Sequence, residues 1–310
     1  MKMENKHVVG RYAPSPSGRM HFGNAFTAVL AWLYARSAAG TFLLRIEDLD
    51  PDRCKPEYAL QVRDDLRWLG LDWDSEGIPQ SCRTEAYEAF FYELQKSGLI
   101  YPCFCSRADL HAANAPHASD GSYVYSGSCR YLSEQQRNAF HRPPAYRIKV
   151  PDKTISFRDG LQGFYSENLA ADCGDFILRR ADGVFSYQLA VCVDDAAMGV
   201  NQIVRGCDLL SSAPRQIWLL SMLGAPQPDY FHVPLLCGQD GHRLSKRNLD
   251  IDFAYLRNVA GPDKLLGKIG FLSGLLDRYE PISIGELLSV FHPSAVKHDS
   301  VIITQEGLSL

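Results

Sequence analysis

Three features are missing from this sequence of 310 residues, and each absence excludes a class of protein. No uninterrupted apolar run is long enough to cross a bilayer, and no secretory signal is visible, so we expect a cytoplasmic protein. The 9 cysteines follow no regular framework, which argues against a disulfide scaffold and leaves reduced thiols or a metal site. The net charge of -4 argues against an indiscriminate nucleic-acid binder, although a local basic face is compatible with it.

The N-terminal part of the chain carries the pattern of a β-loop-α-β unit. Residues 8–13 predict a strand, and Pro14–Gly18 is a loop rich in breakers. Ala, Leu and Trp recur at helical spacing over 25–39, and residues 42–46 predict a second strand. Such a unit closes as a parallel sheet, and ligands collect beyond the carboxyl ends of its strands.

The rest of the chain shows several further patterns and no internal repeat or low-complexity tract. Residues 56–69 and 83–97 predict amphipathic helices. Cysteine, Gly, Ser, His and Pro dominate 101–147 with little periodicity, which indicates an inserted module. Residues 185–193 predict a buried strand that ends at Asp194-Asp195, where we expect the sheet to resume, and 253–288 predicts short helices. With 46% hydrophobic residues, the chain can bury a substantial core, and its length of 310 residues suggests about two structural units.

Two segments could handle a nucleotide. His21–Asn24 opens the first predicted helix, where unpaired N–H groups and the positive dipole end favour a phosphate, with His21 as a donor and Gly23 allowing close approach. A tight strand-helix turn explains this segment equally well. Gly241–Arg247 is a cationic loop in which the Lys246 ammonium could stabilise charge on an α-phosphate. In isolation, a basic surface turn is the better explanation of that loop.

A cysteine group within 101–147 could hold a metal. Cys103 and Cys105 are separated by one residue, and Cys129 lies downstream. Thiolates at this spacing can reach one tetrahedral zinc ion, but three cysteines leave one coordination position to fill. Ordinary structural cysteines of a reduced protein are the alternative.

Several motifs, taken in their order along the chain, narrow these choices. They are Arg11–Gly18 with His21–Asn24, Arg45–Asp50, Val193–Asp195 with Val204–Gly206, and Arg243–Arg247. From about residue 8 to residue 250 this series resembles the glutamyl branch of the class I aminoacyl-tRNA synthetases. The resemblance implies an α/β protein with a split Rossmann catalytic domain, an enzyme that activates L-glutamate with ATP and Mg²⁺ and passes it to an RNA.

The resemblance also implies the division of the chain. Residues 1–100 and 185–247 would form the two halves of the catalytic domain. Residues 101–184 would form an inserted zinc module that holds the RNA acceptor. Residues 248–310 would be a small helical extension, in a monomer without an anticodon-binding domain.

Residue by residue, the resemblance implies three sets of ligands. The glutamate site would comprise Arg11, Tyr12, Ala13, Pro14, Ser15, Glu47, Tyr187 and Arg205. The ATP site would comprise His21, Gly23, Asn24, Arg243, Leu244, Ser245, Lys246 and Arg247, with His21 and Lys246 as the catalytic pair. One structural zinc ion would be held by Cys103, Cys105, Tyr125 and Cys129, with Tyr123, His111 and His117 as competitors for the fourth position. Arg243 stands where the family usually has Lys, which preserves the charge and changes the donor geometry.

The chemistry of the substrate agrees with these ligands. Glu47 can pair with the ammonium of a free amino acid, and Arg11 and Arg205 can bind a side-chain carboxylate. A glutamine side chain would leave that arginine charge unmatched, which favours glutamate. Five cations of the predicted module could face RNA phosphates; they are Arg130, Arg137, Arg142, Arg147 and Lys149.

Two departures from the full-length members bear on the RNA acceptor. Residues 248–310 are too few for the large helical region that reads the anticodon, and Cys207 and Leu209 stand where those members usually have an acid and a histidine. Both departures resemble truncated members, which activate glutamate without tRNA and attach it to the queuosine base in the anticodon loop of tRNA(Asp). Three alternatives stay open: a truncated synthetase that charges a tRNA 3′ end, a related nucleotidyl transferase, and a non-catalytic RNA-binding protein on a synthetase scaffold.

Overall fold

The computed structural model describes residues 7–106, 109, 124–238 and 253–303. Its strands, in chain order, are β1 (Val9–Tyr12), β2 (Thr41–Leu44), β3 (Ser75–Glu76), β4 (Ile100–Cys103), β5 (Ala145–Ile148), β6 (Thr154–Asp159), β7 (Gly163–Asn168), β8 (Ile177–Arg179), β9 (Gln202–Gly206), β10 (Asp229–Val233), β11 (Leu236–Cys237) and β12 (Val301–Ile302). Its helices are α1 (Phe22–Ser37), α2 (Pro56–Trp68), α3 (Thr84–Lys96), α4 (Glu134–Asn138), α5 (Tyr187–Ala197), α6 (Ala213–Met222), α7 (Phe253–Val259), α8 (Pro262–Ser273) and α9 (Ile284–Val290). No helix of these residues is long and apolar enough to cross a membrane.

The first three elements form the predicted β-α-β unit. Strands β1 and β2 pair in parallel, with Val9 opposite Thr41. Helix α1 packs on them with an almost entirely buried surface, because it carries Ala, Leu and Phe on nearly every side. A Cβ at Gly10 would lie 3.1 Å from the Cβ of Ala35, so glycine allows the helix to approach the strand closely.

The main sheet has five parallel strands in the order β10-β9-β1-β2-β3. From β1 the chain first builds outward through β2 and later returns to the other side of β1 as β9. The connections after β1 and β9 therefore diverge, and a crevice opens beyond their carboxyl ends. Tyr12 and Gly206 end these two strands and mark its position.

The strand that we predicted over residues 185–193 is wrong. Most of this segment belongs to helix α5, and the sheet resumes only at β9. The helix buries a continuous series of side chains from Leu189 to Asp195, so its apolar face does not alternate with a polar one. A short run that is buried on every side has the same sequence pattern in a helix and in a strand.

The residues between the sheet's two halves form antiparallel structure instead. Strands β4, β5 and β8 make one small sheet, and β6 and β7 make a hairpin. The turn of this hairpin packs on β10, where the Gly160 N–H donates to the Tyr230 carbonyl at 2.8 Å. A Cβ at Gly160 would lie 2.2 Å from the ring of Phe231, so only glycine fits.

The remaining helices agree with the predicted patterns. The two amphipathic stretches become α2 and α3, and the short helices expected over 253–288 become α7, α8 and α9. The apolar faces of α2, α7, α8 and α9 join α1 in one core cluster, whereas α3, α5 and α6 share a second one. Strand β12 pairs in parallel with β11, which brings Val301 next to Leu236.

Candidate active site

The crevice beyond β1 and β9 is a cavity of about 730 Å³. It is lined by all the residues predicted to bind glutamate and by the described part of the predicted ATP site, which are Arg11, Tyr12, Ala13, Pro14, Ser15, Glu47, Tyr187 and Arg205, with His21, Gly23 and Asn24. These residues come from three separate parts of the sequence. The structure therefore brings together the side chains that the motifs singled out.

The first turn of helix α1 forms one wall of the cavity. His21 is its N-cap, and the His21 backbone N–H donates to Asn24 Oδ1 at 3.1 Å. The first turn holds no acidic residue, so its positive dipole end is not neutralised there. A Cβ at Gly23 would lie 3.2 Å from two atoms of the His21 ring, so glycine leaves that ring its space. This end of the helix suits a phosphate group.

Arg205 also lines the cavity and is buried among uncharged acceptors. Its Nη1 donates to Gln216 Oε1 at 2.7 Å and to the Tyr187 hydroxyl at 3.4 Å. Its Nη2 donates to the Leu209 carbonyl at 3.2 Å, and its Nε donates to His232 Nε2 at 3.0 Å. Within the described residues, no carboxylate forms an ion pair with this guanidinium. Its positive charge therefore lines the cavity without a directly bonded carboxylate among the described residues.

A buried charge network lies behind the cavity and centres on Arg45. Its guanidinium donates to Asp195 at 2.6 Å and to Glu47 at 2.9 Å, and its Nε lies 3.8 Å from Asp194. Arg11 joins the network through Asp195, at 3.3 Å. Burial works against ionisation of Asp195, but Arg11 and Arg45 hold its pKa below the usual value. At Glu47 the effect of burial is larger than the opposing effect of Arg45, so the pKa of this carboxyl is raised.

Asp194 anchors this network to helix α3. Its carboxylate accepts from Gln80 at 2.8 Å, Arg83 at 2.6 Å and the Tyr87 hydroxyl at 2.9 Å. Our sequence reasoning assigned no role to Arg45 or Asp194 beyond their places in motifs. The available signal was a charged residue inside an apolar segment, which is rare unless the charge is paired.

The cysteine group is assembled in a second place, between β4 and the 125–129 segment. The thiol sulfurs of Cys103, Cys105 and Cys129 lie within 4.8 Å of one another. The Tyr125 hydroxyl lies 3.4 Å from Cys103 Sγ and 3.5 Å from Cys105 Sγ, and it accepts from the Cys129 N–H at 2.9 Å. Four ligands around zinc, with Zn–S bonds of about 2.3 Å, stand about 3.8 Å apart. These donors therefore fit one zinc ion.

Arg147 belongs to the cysteine group rather than to an RNA-facing surface. It is buried, its Nε lies 3.3 Å from Cys103 Sγ, and its guanidinium stacks on the Tyr125 ring at 4.0 Å. The prediction that it faces phosphates is therefore wrong. Arg130 is likewise committed to a two-point ion pair with buried Asp175, at 2.9 and 2.5 Å. Both arginines meet partners that their sequence spacing did not reveal.

Some predicted residues lie outside the described part of the chain. These are Arg243, Leu244, Ser245, Lys246 and Arg247 of the second nucleotide segment, and Tyr123, His111 and His117 near the cysteines. Conversely, sequence reasoning missed His232 and Gln216, which contact Arg205, and Asp159, which contacts His232. His232 carried a usable signal, because it is a polar residue in the middle of an apolar strand.

The fold and the cavity define a class I aminoacyl-tRNA synthetase catalytic domain. Residues 7–265 match the model of the tRNA synthetases class I (E and Q), catalytic domain, and the chain belongs to this family. It is 47% identical to the Glutamyl-Q tRNA(Asp) synthetase of Symbiobacterium thermophilum, over 97% of this chain and 98% of that protein. The enzyme of the same name from Nitratidesulfovibrio vulgaris is 47% identical over 88% of this chain and 89% of its own length.

Solved structures agree with this classification. The crystal structure of a glutamate tRNA ligase from Elizabethkingia meningosepticum, in complex with its amino acid, superposes with a TM-score of 0.81 at 26% identity. The match covers 97% of this chain and 68% of the ligase. A glutamate-tRNA synthetase from Elizabethkingia anophelis gives the same TM-score of 0.81 at 25% identity, over 97% of this chain and 69% of that one.

Proposed function

We propose that this chain activates L-glutamate with ATP in the absence of tRNA and transfers the glutamyl group to the queuosine base of tRNA(Asp). The observation that carries the first step is the buried guanidinium of Arg205, which bonds only uncharged acceptors among the described residues and lines the same cavity as the N-terminus of α1. The relatives that match over nearly their whole length bear the name Glutamyl-Q tRNA(Asp) synthetase, and they support the second step. Such an enzyme works in the cytoplasm, where ATP and tRNA are available.

The amino acid would be held by opposite charges. Arg205 and Arg11 would take its side-chain carboxylate, and Tyr187 would add a hydroxyl from the start of α5. Glu47 would pair with the ammonium, although it also accepts from Arg45. A glutamine side chain would bring no negative charge to Arg205, so the site would reject it.

ATP would lie across the first turn of α1. Its phosphates would meet the free N–H groups there, with His21, Gly23 and Asn24 as the nearest side chains and backbone. Arg243, Lys246 and Mg²⁺ would stabilise the charge on the phosphates, and Leu244, Ser245 and Arg247 would complete the segment.

The reaction would need no protein nucleophile. An oxygen of glutamate's α-carboxylate attacks the α-phosphorus of ATP, and the bond to the β-phosphate breaks, which releases pyrophosphate and leaves glutamyl-adenylate. A hydroxyl of the queuosine nucleoside then attacks the activated carbonyl, and AMP departs with the bonding electron pair. The protein orients both steps and stabilises the developing charge.

Residues 101–184 would form the module that holds the RNA acceptor, between catalytic halves 1–100 and 185–247, with 248–310 as a helical extension of a monomer. Zinc on Cys103, Cys105, Tyr125 and Cys129 would tie β4 to the 125–129 segment, which is a structural role. A Cys103→Ser variant should lose the metal, whereas Cys54→Ser, outside the group, should keep it. Unchanged zinc content in the Cys103 variant would rule out this site.

Pyrophosphate exchange tests the activation step. Purified protein with ATP and labelled pyrophosphate should exchange when glutamate is added, with no RNA present, and glutamine should not replace glutamate. Exchange that appears only after tRNA is added would favour the ordinary synthetase. No exchange under either condition would favour a non-catalytic RNA-binding protein.

Labelling of tRNA tests the acceptor. Labelled glutamate should enter tRNA from queuosine-replete cells and should not enter tRNA from queuosine-deficient cells. Removing the 3′-terminal adenosine should leave labelling unchanged, because the acceptor base lies in the anticodon loop. Loss of labelling after that trimming would instead identify charging at the 3′ end.

A further inference from the structure

Arg205 is held in place by an acceptor that does not cancel its charge. A buried arginine is usually fixed by a carboxylate, which supplies both orientation and a counter-charge. Here the Nε–H of Arg205 meets the imidazole of His232, and the carboxylate of Asp159 lies on the far side of that ring. All three side chains are buried, at 4% exposure or less. His232 therefore orients the guanidinium of Arg205, while the negative charge of Asp159 lies on the opposite side of the imidazole ring.

The contacts determine which nitrogen of His232 carries its proton. A guanidinium N–H can only donate, so His232 Nε2 must accept from Arg205 with its lone pair. The proton is then on Nδ1 and is donated to Asp159 Oδ2 at 2.6 Å. Burial is the main reason why the pKa of His232 lies below its usual value, and the neighbouring Arg205 acts in the same direction.

The backbone determines how Asp159 faces this ring. Its Oδ1 accepts three backbone N–H groups, from Leu161 at 2.9 Å, Gln162 at 2.8 Å and His232 at 3.2 Å. Only Oδ2 is then left for the histidine ring. The turn between β6 and β7 thus fixes the carboxylate, the carboxylate fixes the tautomer, and the tautomer fixes the acceptor for Arg205.

We propose that Asp159 and His232 are positioning residues that orient Arg205 for the side-chain carboxylate of the amino acid and leave its charge available to that carboxylate. This inference rests on the proposed function, since it assigns these residues to glutamate recognition. Asp159 and His232 would not touch the reacting atoms themselves. The inference therefore predicts that changing them affects glutamate binding and leaves ATP binding unchanged.

An Asp159→Asn variant tests the chain of contacts. The three backbone N–H groups would keep the amide oxygen at the Oδ1 position, so the amide NH₂ would face His232 Nδ1 and donate to it. The ring proton would move to Nε2 and confront the Arg205 N–H, the same kind of tautomer error that cripples catalytic histidines elsewhere. We expect the KM for glutamate in pyrophosphate exchange to rise about tenfold or more, with the KM for ATP changed by less than about twofold.

Asp74→Asn is the matched control. Asp74 also accepts a backbone N–H, from Phe42 at 2.7 Å, and pairs with an arginine, Arg36, but none of these residues lines the cavity. We expect both KM values of this variant to stay as in the wild type. Equal changes in the two KM values for Asp159→Asn would indicate a merely structural role and overturn the proposal.

His232 variants decide the matter even if Asp159→Asn does not fold. His232→Gln keeps an acceptor oxygen for Arg205 and should retain a nearly normal KM for glutamate, whereas His232→Leu has no acceptor and should raise it. In the His232→Gln background, adding Asp159→Asn should have little further effect, because no ring proton remains to be misplaced. Identical behaviour of the Gln and Leu variants would overturn the proposal. Loss of exchange in the wild type itself would instead overturn the proposed function.

Discussion

Two regions around the candidate active site contain a buried arginine. In one the guanidinium is surrounded by carboxylates, and in the other it contacts uncharged acceptors. Arg45 lies behind the cavity with Asp195, Glu47 and Asp194 within 3.8 Å. Arg205 lines the cavity and contacts a ring nitrogen, an amide oxygen, a hydroxyl and a carbonyl. A buried charge is costly unless an opposite charge offsets it.

Under the proposed function, this difference would separate a structural arginine from a ligand-binding one. The charge of Arg45 is already offset by the protein, so this residue can hold strands and helices together but has little affinity left for an anion. In the proposed function, the charge of Arg205 would be offset by the bound amino acid, so its desolvation cost in the free protein would become affinity for a carboxylate. Both residues are buried arginines, and they differ in their acceptors and in their access to the cavity.

Removing Arg205 should produce the largest functional loss. We expect Arg205→Leu to lower kcat/KM for glutamate in pyrophosphate exchange about 10³-fold, since truncating one partner of a buried charge pair costs several kcal/mol. Because no carboxylate is abandoned, the free energy of unfolding should change by less than about 2 kcal/mol. Exchange kinetics measure kcat/KM, and urea denaturation measures the free energy of unfolding. A large loss of stability would show that Arg205, like Arg45, has a mainly structural role.

Removing Arg45 should act on folding. We expect Arg45→Met to lower the free energy of unfolding by about 3 kcal/mol or more, because Asp195 and Glu47 would stay buried without their partner. Arg36→Met is the control, since Arg36 pairs with the more exposed Asp72 and Asp74 and should cost less than about 1 kcal/mol. Urea denaturation of both variants is the measurement, and equal losses would contradict the prediction.

Arg147 extends the comparison to a third buried arginine, whose neighbours are sulfur and an aromatic ring. Bound zinc with three thiolates carries net negative charge, which the guanidinium beside Cys103 would offset. We expect Arg147→Met to weaken zinc retention about tenfold in competition with a chelating dye. Arg142→Met, at an exposed arginine paired with Asp109, should retain zinc like the wild type. A normal zinc affinity of the Arg147 variant would show that this arginine does not offset the charge of the zinc site.

Acid should produce the smallest effect, through His232. Its pKa in the folded protein lies below the usual value of 6.5, chiefly because of burial, so the unfolded chain binds its proton more readily. The stability from neutral His232 is therefore complete above pH 6.5 and is lost as the pH falls from there toward the folded-state pKa. We expect the unfolding temperature of the wild type to fall more between pH 7 and pH 5 than that of His232→Gln. Parallel curves would show that this histidine does not contribute.

The sequence predicted the elements whose pattern is local. Helices α1, α2 and α3 and strands β1 and β2 followed from periodicity and breakers, because each has a polar face or a clear end. Helix α5 was misread as a strand since its residues from Leu189 to Asp195 are buried on every side.

The candidate site was predictable only as a set of motifs. The residues around the cavity were named from the family pattern, and their convergence follows from the parallel order of β1 and β9. The partners of Arg205 and Arg147 could not be predicted, because Asp159 and His232 are 73 positions apart and Arg147 meets Cys103 from 44 positions away. Such pairings depend on tertiary packing and leave no periodic trace.

The contact between Gly160 and the Phe231 ring limits which residues position 160 can accept. Any larger residue at position 160 would overlap that ring at 2.2 Å and displace it, and the next residue along the strand is His232. If the proposed role of His232 is correct, a mutation in the hairpin turn would therefore alter amino-acid selectivity. A larger residue at position 160 would therefore require a compensating change at Phe231.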